Sequence, residues 1–107
     1  MSTVLITGCS SGFGELAALT FHRHGHRVFA TMRRPGSSAA VNAVPEIEQL
    51  ALDVTDDGSV RAAVAEVIAR AGDLEIVVNN AGIEISGAVH LASDAEVLQQ
   101  MDTNVLG

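Results

Sequence analysis

The stretch Thr7-Gly8-Cys9-Ser10-Ser11-Gly12-Phe13-Gly14 has residue types and a spacing that could do chemistry, and the chemistry would be the holding of phosphate. It joins the apolar run Val4-Leu5-Ile6 to a segment of helical patterning that starts near Phe13. Gly8 permits a tight exit from a strand, Gly12 lets the backbone approach a pyrophosphate without a Cβ in the way, and Gly14 lets the helix pack closely on a sheet. The first N–H groups of such a helix have no intrahelical partners and carry the positive end of its dipole, so an anion there is stabilised. The glycines follow G-x-x-x-G-x-G and not the common dinucleotide spacing G-x-G-x-x-G. A Walker-type phosphate loop needs a Lys after its last glycine, and the sequence contains no Lys.

Three further groups invite a chemical reading. Sites for NAD(H) usually place an acid about 20 residues after the glycine turn, where it accepts hydrogen bonds from the ribose. No acid stands between Glu15 and Glu46, whereas Arg33 and Arg34 do. A guanidinium there can hold a 2'-phosphate through planar, charge-assisted hydrogen bonds, so NADP(H) is the expected cofactor and NAD(H) the alternative. Two solvated strand-end charges would be the bland explanation of the same pair. His22, His24 and His26 alternate, but Gly25 breaks the helix among them and no Cys or carboxylate joins them, so no metal site is expected. Cys9 lacks a matched base and is expected to pack.

The elements that must position these groups follow from hydrophobic pattern. Residues 3–6 form a short continuous apolar run, as in a strand buried on both faces of a parallel sheet. Phe13, Ala17, Thr20-Phe21 and His24 recur at helical spacing before Gly25. Residues 27–32 (R-V-F-A-T-M) read as the second strand, ended by Pro35-Gly36. Residues 37–45 are rich in small side chains and fit either a short helix or a loop. Residues 49–54 (Q-L-A-L-D-V) read as the third strand, with Asp53 near its carboxyl end. Thr55-Asp56-Asp57 offers capping side chains for a helix carrying Val60, Val64, Val67, Ile68 and Ala71 up to Gly72. Residues 74–78 (L-E-I-V-V) make a fourth strand, and Ser93 with Glu96 has capping-box spacing before a stripe of Val97, Leu98, Met101 and Val105.

Such β–α alternation needs roughly 30 residues per unit, so about three and a half units fit in 107 residues. That is one βαβαβ half of a doubly wound dinucleotide domain and a little more, so the chain is expected to be a fragment of a single domain. A hydrophobic content of 48% excludes a disordered chain. Thirteen carboxylates against six arginines argue against a nucleic-acid or anionic-membrane surface, leaving a small molecule as the partner. One cysteine cannot form an internal disulfide, and no basic leader or bilayer-length apolar run is visible, so a cytoplasmic setting is expected.

With Thr7 before its first glycine and Ser10-Ser11 before its second, the turn resembles the opening of the short-chain dehydrogenase/reductase family. Three more segments resemble that family in order and spacing. Asp53-Val54-Thr55-Asp56 resembles the segment that contacts the cofactor's adenine, which implies that Asp53 accepts from the adenine amino group. Asn79-Asn80-Ala81-Gly82 resembles the family's N-N-A-G segment, which steadies the fourth strand and passes beside the adenosine ribose. Asp102 to Gly107 resembles the helix that carries the catalytic-tetrad Asn, here Asn104. Met32 occupies the place where NAD-preferring relatives carry an acid.

The resemblance therefore implies a Rossmann-like α/β sheet of about four parallel strands in the order 3-2-1-4, with the cofactor across the strand carboxyl ends. Its implied cofactor residues are Gly8, Ser10, Ser11, Gly12, Phe13, Gly14, Arg33, Arg34, Asp53, Val54, Asn80, Ala81 and Gly82. The implied activity is hydride transfer between NADP(H) and a small-molecule alcohol or carbonyl, in a protein expected to be a homo-oligomer at full length. The family's proton-transfer centre is a Tyr with a Lys four residues later and a preceding Ser, and these residues contain no Tyr and no Lys. They are expected to bind cofactor without completing the reaction. A non-catalytic module that senses the cofactor is the rival, and a truncated product with no function of its own is another. The fourth strand is expected to leave an uncovered, aggregation-prone edge.

Overall fold

In the computed structural model, which describes residues 2–10, 12–79 and 88–90, apolar residues on successive strand positions point to opposite faces and meet different helices. Val4, Ile6, Val28, Ala30 and Val78 lie in one core cluster with Ala17, Ala18 and Val41, while Leu5, Phe29 and Val77 lie in the other with Val60, Ala63, Val64 and Val67. The sheet is thus buried on both sides, which is why its strands read as continuous apolar runs and not as an alternation. Burying a side chain of the size of Phe29 or Leu5 stabilises by about 1.5–3 kcal/mol, and both are fully buried.

The chain runs β1 (Thr3–Ile6), α1 (Gly12–Arg23), β2 (Arg27–Met32), α2 (Ala39–Asn42), β3 (Glu48–Ala51), α3 (Asp57–Ala71), β4 (Ile76–Val78) and β5 (Ala88–His90). The strands lie in the order β3-β2-β1-β4-β5. The first four are parallel, with Leu5 beside Phe29 on one flank and beside Val77 on the other. The helices α1 and α2 join the first three strands across one face, and α3 crosses back on the other. β1 and β4 therefore flank the point where the strand order reverses, and ligands of open α/β sheets bind outside the strand carboxyl ends at that point. This is the expected order 3-2-1-4.

The sheet has one strand more than the four expected, β5. It pairs antiparallel to β4, with Ile76 opposite His90 and Val78 opposite Ala88, and so covers the edge that was expected to stand open. A paired edge presents no row of free N–H and C=O groups on that side of β4.

The helix ends match the sequence signals. After α1, Gly25 N donates to the His22 carbonyl at 3.0 Å and His26 N to the Phe21 carbonyl at 3.1 Å, a Schellman stop. The other long helix opens on Asp56, whose Oδ1 accepts from Gly58 N at 2.9 Å and Ser59 N at 3.3 Å, and closes where Gly72 N reaches the Ile68 carbonyl at 2.8 Å. At the amino end of the sheet, Arg27 grips Glu48 through Nε at 2.8 Å and Nη2 at 3.2 Å, and Arg70 adds a contact to the same carboxylate at 3.7 Å. This clamp joins β2, β3 and α3 on the side away from the glycine turn.

Candidate functional site

The glycine turn leaves β1 through a set of buried polar contacts. Thr7 N donates to the Val78 carbonyl at 3.0 Å, and its hydroxyl donates to Asn79 Oδ1 at 3.1 Å. Cys9 N donates to the Thr31 carbonyl at 3.0 Å, while the Thr31 hydroxyl donates to the Ile6 carbonyl at 2.8 Å. Thr7 and Thr31 are fully buried and Asn79 nearly so, so these bonds form in a medium where an unmade one is costly. Together they tie the carboxyl ends of β1, β2 and β4 into one platform beneath the turn.

The turn itself needs its glycines. Gly12, the first residue of α1, has φ 63°, and a Cβ built on it meets nothing within 4 Å. The backbone at the start of α1 thus faces open space, with the helix's orphan N–H groups beside it. A phosphate fits such a cradle, and a side chain at position 12 would stand in its way. Gly14 is buried and Phe13 is 48% exposed. Ser10 is exposed beside them.

The Cys9 thiol is fully buried, with its Sγ 3.4 Å from the Ile6 carbonyl. Burial is the main cause that pushes its pKa up to about 12; the nearby Glu15 charge adds to the rise and the backbone hydrogen bond from Thr31 opposes it. The thiol is a packing group.

Arg33 and Arg34 follow β2 directly and are exposed. Arg33 Nη2 lies 3.7 Å from Asp53 Oδ1, with the arginine side chain 73% exposed. Asp53 stands two residues past β3, where its Oδ1 accepts from the Thr55 hydroxyl at 2.6 Å and Thr55 N at 3.0 Å. Those two bonds, the hydroxyl's first, hold the carboxyl below the usual carboxylate range, and Arg33 contributes less. Val54 is half-buried against the α3 side of the core. The structure thus brings together Arg33 and Asp53, which stand far apart in the sequence. Met32 is 3% exposed and belongs to the core cluster that includes Val41 and Ile47. An acid at that position would enter the core, where an unpaired carboxylate is costly. Ser11, Asn80, Ala81, Gly82 and Asn104 lie outside the described residues.

Several residues that frame the site carried no motif. Ser38 caps α2 by accepting from Val41 N at 3.1 Å, and its hydroxyl donates to Glu15 Oε2 at 2.6 Å, joining the arginine turn to the first turn of α1. Thr31 had one visible signal, a lone hydroxyl inside the apolar run of β2. Among the described residues, no group of three metal-ligating side chains occurs, and no helix is long and apolar enough to cross a membrane.

A model of the short chain dehydrogenase family matches residues 2–107. The chain belongs to the short-chain dehydrogenase/reductase family. It is 41% identical to a 3-ketodihydrosphingosine reductase of Bacteroides thetaiotaomicron over 97% of this chain and 37% of that protein. Among solved structures, a short-chain dehydrogenase of Streptomyces avermitilis matches with a TM-score of 0.71 and 39% identity, over 77% of this chain and 32% of the other. A 3-ketoacyl-(acyl-carrier-protein) reductase of Brucella melitensis, complexed with NADH, matches with a TM-score of 0.70 and 33% identity, over 77% of this chain and 34% of that one. The chain therefore spans roughly a third of the length of the short-chain dehydrogenases it matches. Short-chain dehydrogenases bind NAD(P)(H), and the open backbone at Gly12 suits the pyrophosphate of either form.

Proposed function

We propose that these 107 residues are the N-terminal cofactor-binding part of a single Rossmann domain, and that the domain binds NADP(H) in preference to NAD(H). The observation that carries the preference is the Arg33 guanidinium, 73% exposed at the end of β2 and only loosely engaged by Asp53 at 3.7 Å. A guanidinium so placed can leave a distant carboxylate for the doubly charged 2'-phosphate at small cost. Arg34 adds a second positive charge on the same turn. The start of α1, with Gly12, would hold the pyrophosphate, and Asp53 and Val54 would border the adenine.

The cofactor supplies a hydride to a carbonyl or takes one from an alcohol. Within this chain, Asn104 is the member of the catalytic tetrad, and no Tyr or Lys is present to move the substrate proton. The 107 residues therefore bind cofactor without turning it over, whereas the activity belongs to the complete domain, acting on a small-molecule alcohol or carbonyl as a homo-oligomer in the cytoplasm. The rival reading is a non-catalytic module that senses the cofactor. Turnover of NADPH with a carbonyl panel by the complete domain separates the two.

The test of the preference is a pair of titrations. A charged hydrogen bond contributes about 1.5–3 kcal/mol, or about ten- to a hundredfold in affinity. Arg33→Ala should weaken NADPH binding by that factor and leave NADH nearly unchanged. Equal weakening of both cofactors would remove Arg33 as the group that reads the 2'-phosphate.

A further inference from the structure

The turn that carries Arg33 and Arg34 is closed by a ring of three hydrogen bonds. Gly36 N donates to Gln49 Oε1 at 2.7 Å, Gln49 Nε2 donates to Asn42 Oδ1 at 2.8 Å, and Asn42 Nδ2 donates back to the Gly36 carbonyl at 2.8 Å. Gln49 belongs to β3 and Asn42 is the last residue of α2, so Gly36 is held through its N–H by one element and through its carbonyl by another. Each amide gives one hydrogen bond and receives one, and turning either amide over would set donor against donor and acceptor against acceptor.

The turn's own shape is set by a β-turn with Pro35 and Gly36 (φ 90°) at its centre, closed where Ser37 N donates to the Arg34 carbonyl at 3.2 Å. No atom lies within 4 Å of a Cβ added to Gly36, so packing does not seat that turn against a neighbouring element. The Ser37 hydroxyl reaches Met32 Sδ at 3.3 Å, which ties the turn only to β2, the strand it leaves. Beyond the turn, Ser38 is anchored on Glu15. The amide ring therefore supplies the link between the arginine turn and β3, the strand whose far end leads into Asp53. The three bonds are exposed and individually weak, but breaking one opens the ring and loosens the other two.

We propose that Asn42 and Gln49 are positioning residues that hold the Arg33–Arg34 turn in the shape that receives a 2'-phosphate, and so help set the preference for NADP(H) over NAD(H). This rests on the reading of Arg33 given above. An arginine on a fixed turn loses less conformational freedom on binding than one on a loose turn, and that difference is felt only by a cofactor that has the phosphate.

The test measures Kd for NADPH and NADH, by calorimetry or by the fluorescence of the reduced nicotinamide, on the full chain and on Asn42→Leu, Gln49→Met, the double variant and Arg33→Ala. Opening the ring should raise the NADPH Kd by about three- to tenfold, on the scale of one neutral hydrogen bond, and move the NADH Kd less than about twofold. The double variant should be no worse than either single one, because one broken bond already opens the ring. Unchanged NADPH binding in both ring variants, with Arg33→Ala still weakening it, would overturn the positioning role alone. Equal weakening of NADPH and NADH in the ring variants would overturn it too, as the mark of a merely structural contact. If Arg33→Ala itself spares NADPH, the underlying reading fails. A measurement on the unaltered chain covers the case in which the variants do not fold: saturating NADPH should slow hydrogen exchange at the Gly36 amide more than saturating NADH does, and equal slowing would overturn the proposal.

Discussion

Gly12→Ala separates what the glycine turn does for folding from what it does for a ligand. At φ 63° an alanine is strained by about 1–2 kcal/mol relative to glycine. Its methyl group meets nothing within 4 Å, so no clash adds to that figure. For a domain of this size the cost lowers Tm by about 5–10 °C, readable by far-UV circular dichroism. The effect on binding should be larger. The methyl group would fill the space by which a pyrophosphate reaches the first N–H groups of α1, and losing one such charged hydrogen bond weakens affinity by about ten- to a hundredfold. Calorimetric titration with NADPH and NADH should show that loss for both cofactors, since both carry the pyrophosphate. Wild-type affinity in a folded Gly12→Ala protein would refute the placement of phosphate at this turn. A stability loss well beyond about 2 kcal/mol would refute the open space around Gly12.

Two further outcomes follow from titrating groups. With its thiol buried and its pKa pushed up to about 12, Cys9 should resist a thiol reagent at pH 8 in native buffer and react as urea unfolds the chain; reaction at the rate of a free thiol without denaturant would contradict the packing role. Asp53 is held below the usual carboxylate range in the fold, mainly by the Thr55 hydroxyl. A carboxyl lowered in this way contributes stability that is present above about pH 4 and is lost as pH falls through the lower, folded value. Urea unfolding should therefore show Asp53→Asn less stable than wild type at pH 7, with the deficit shrinking below about pH 4, and a deficit equal at both pH values would count against it.

Much of the fold was legible because its signals are local and periodic. The run R-V-F-A-T-M coincides with β2, and Gly25 and Gly72 stop the helices as their type and position suggest. The third strand was read to residue 54 but ends at Ala51, because Asp53 turns its carboxylate onto Thr55 and its N–H onto the Ser59 hydroxyl, bonds that compete with a strand ladder. The stretch from residue 37 to 45 fitted a helix or a loop and contains the short α2, whose cap is Ser38. β5 does not stand out in the sequence because only Val89 of its three residues is β-branched, whereas every residue of the equally short β4 is. At the site, the glycines and arginines were visible from type and spacing. The Glu15–Ser38 contact and the Gly36–Asn42–Gln49 ring were not, because they join polar residues that only the crossovers bring together. Met32, at the place where the resemblance puts an acid in NAD-preferring relatives, is also a core residue through its neighbours in space.

Phosphorus NMR of NADP+ titrated into the full chain tests the role of Arg33 most directly. A free phosphomonoester loses its second proton near pH 6, and a guanidinium beside it favours the dianion. The bound 2'-phosphate resonance should stay at the dianion position well below pH 6, and Arg33→Ala should return it toward free behaviour. A bound resonance that titrates like that of free NADP+ would contradict the account.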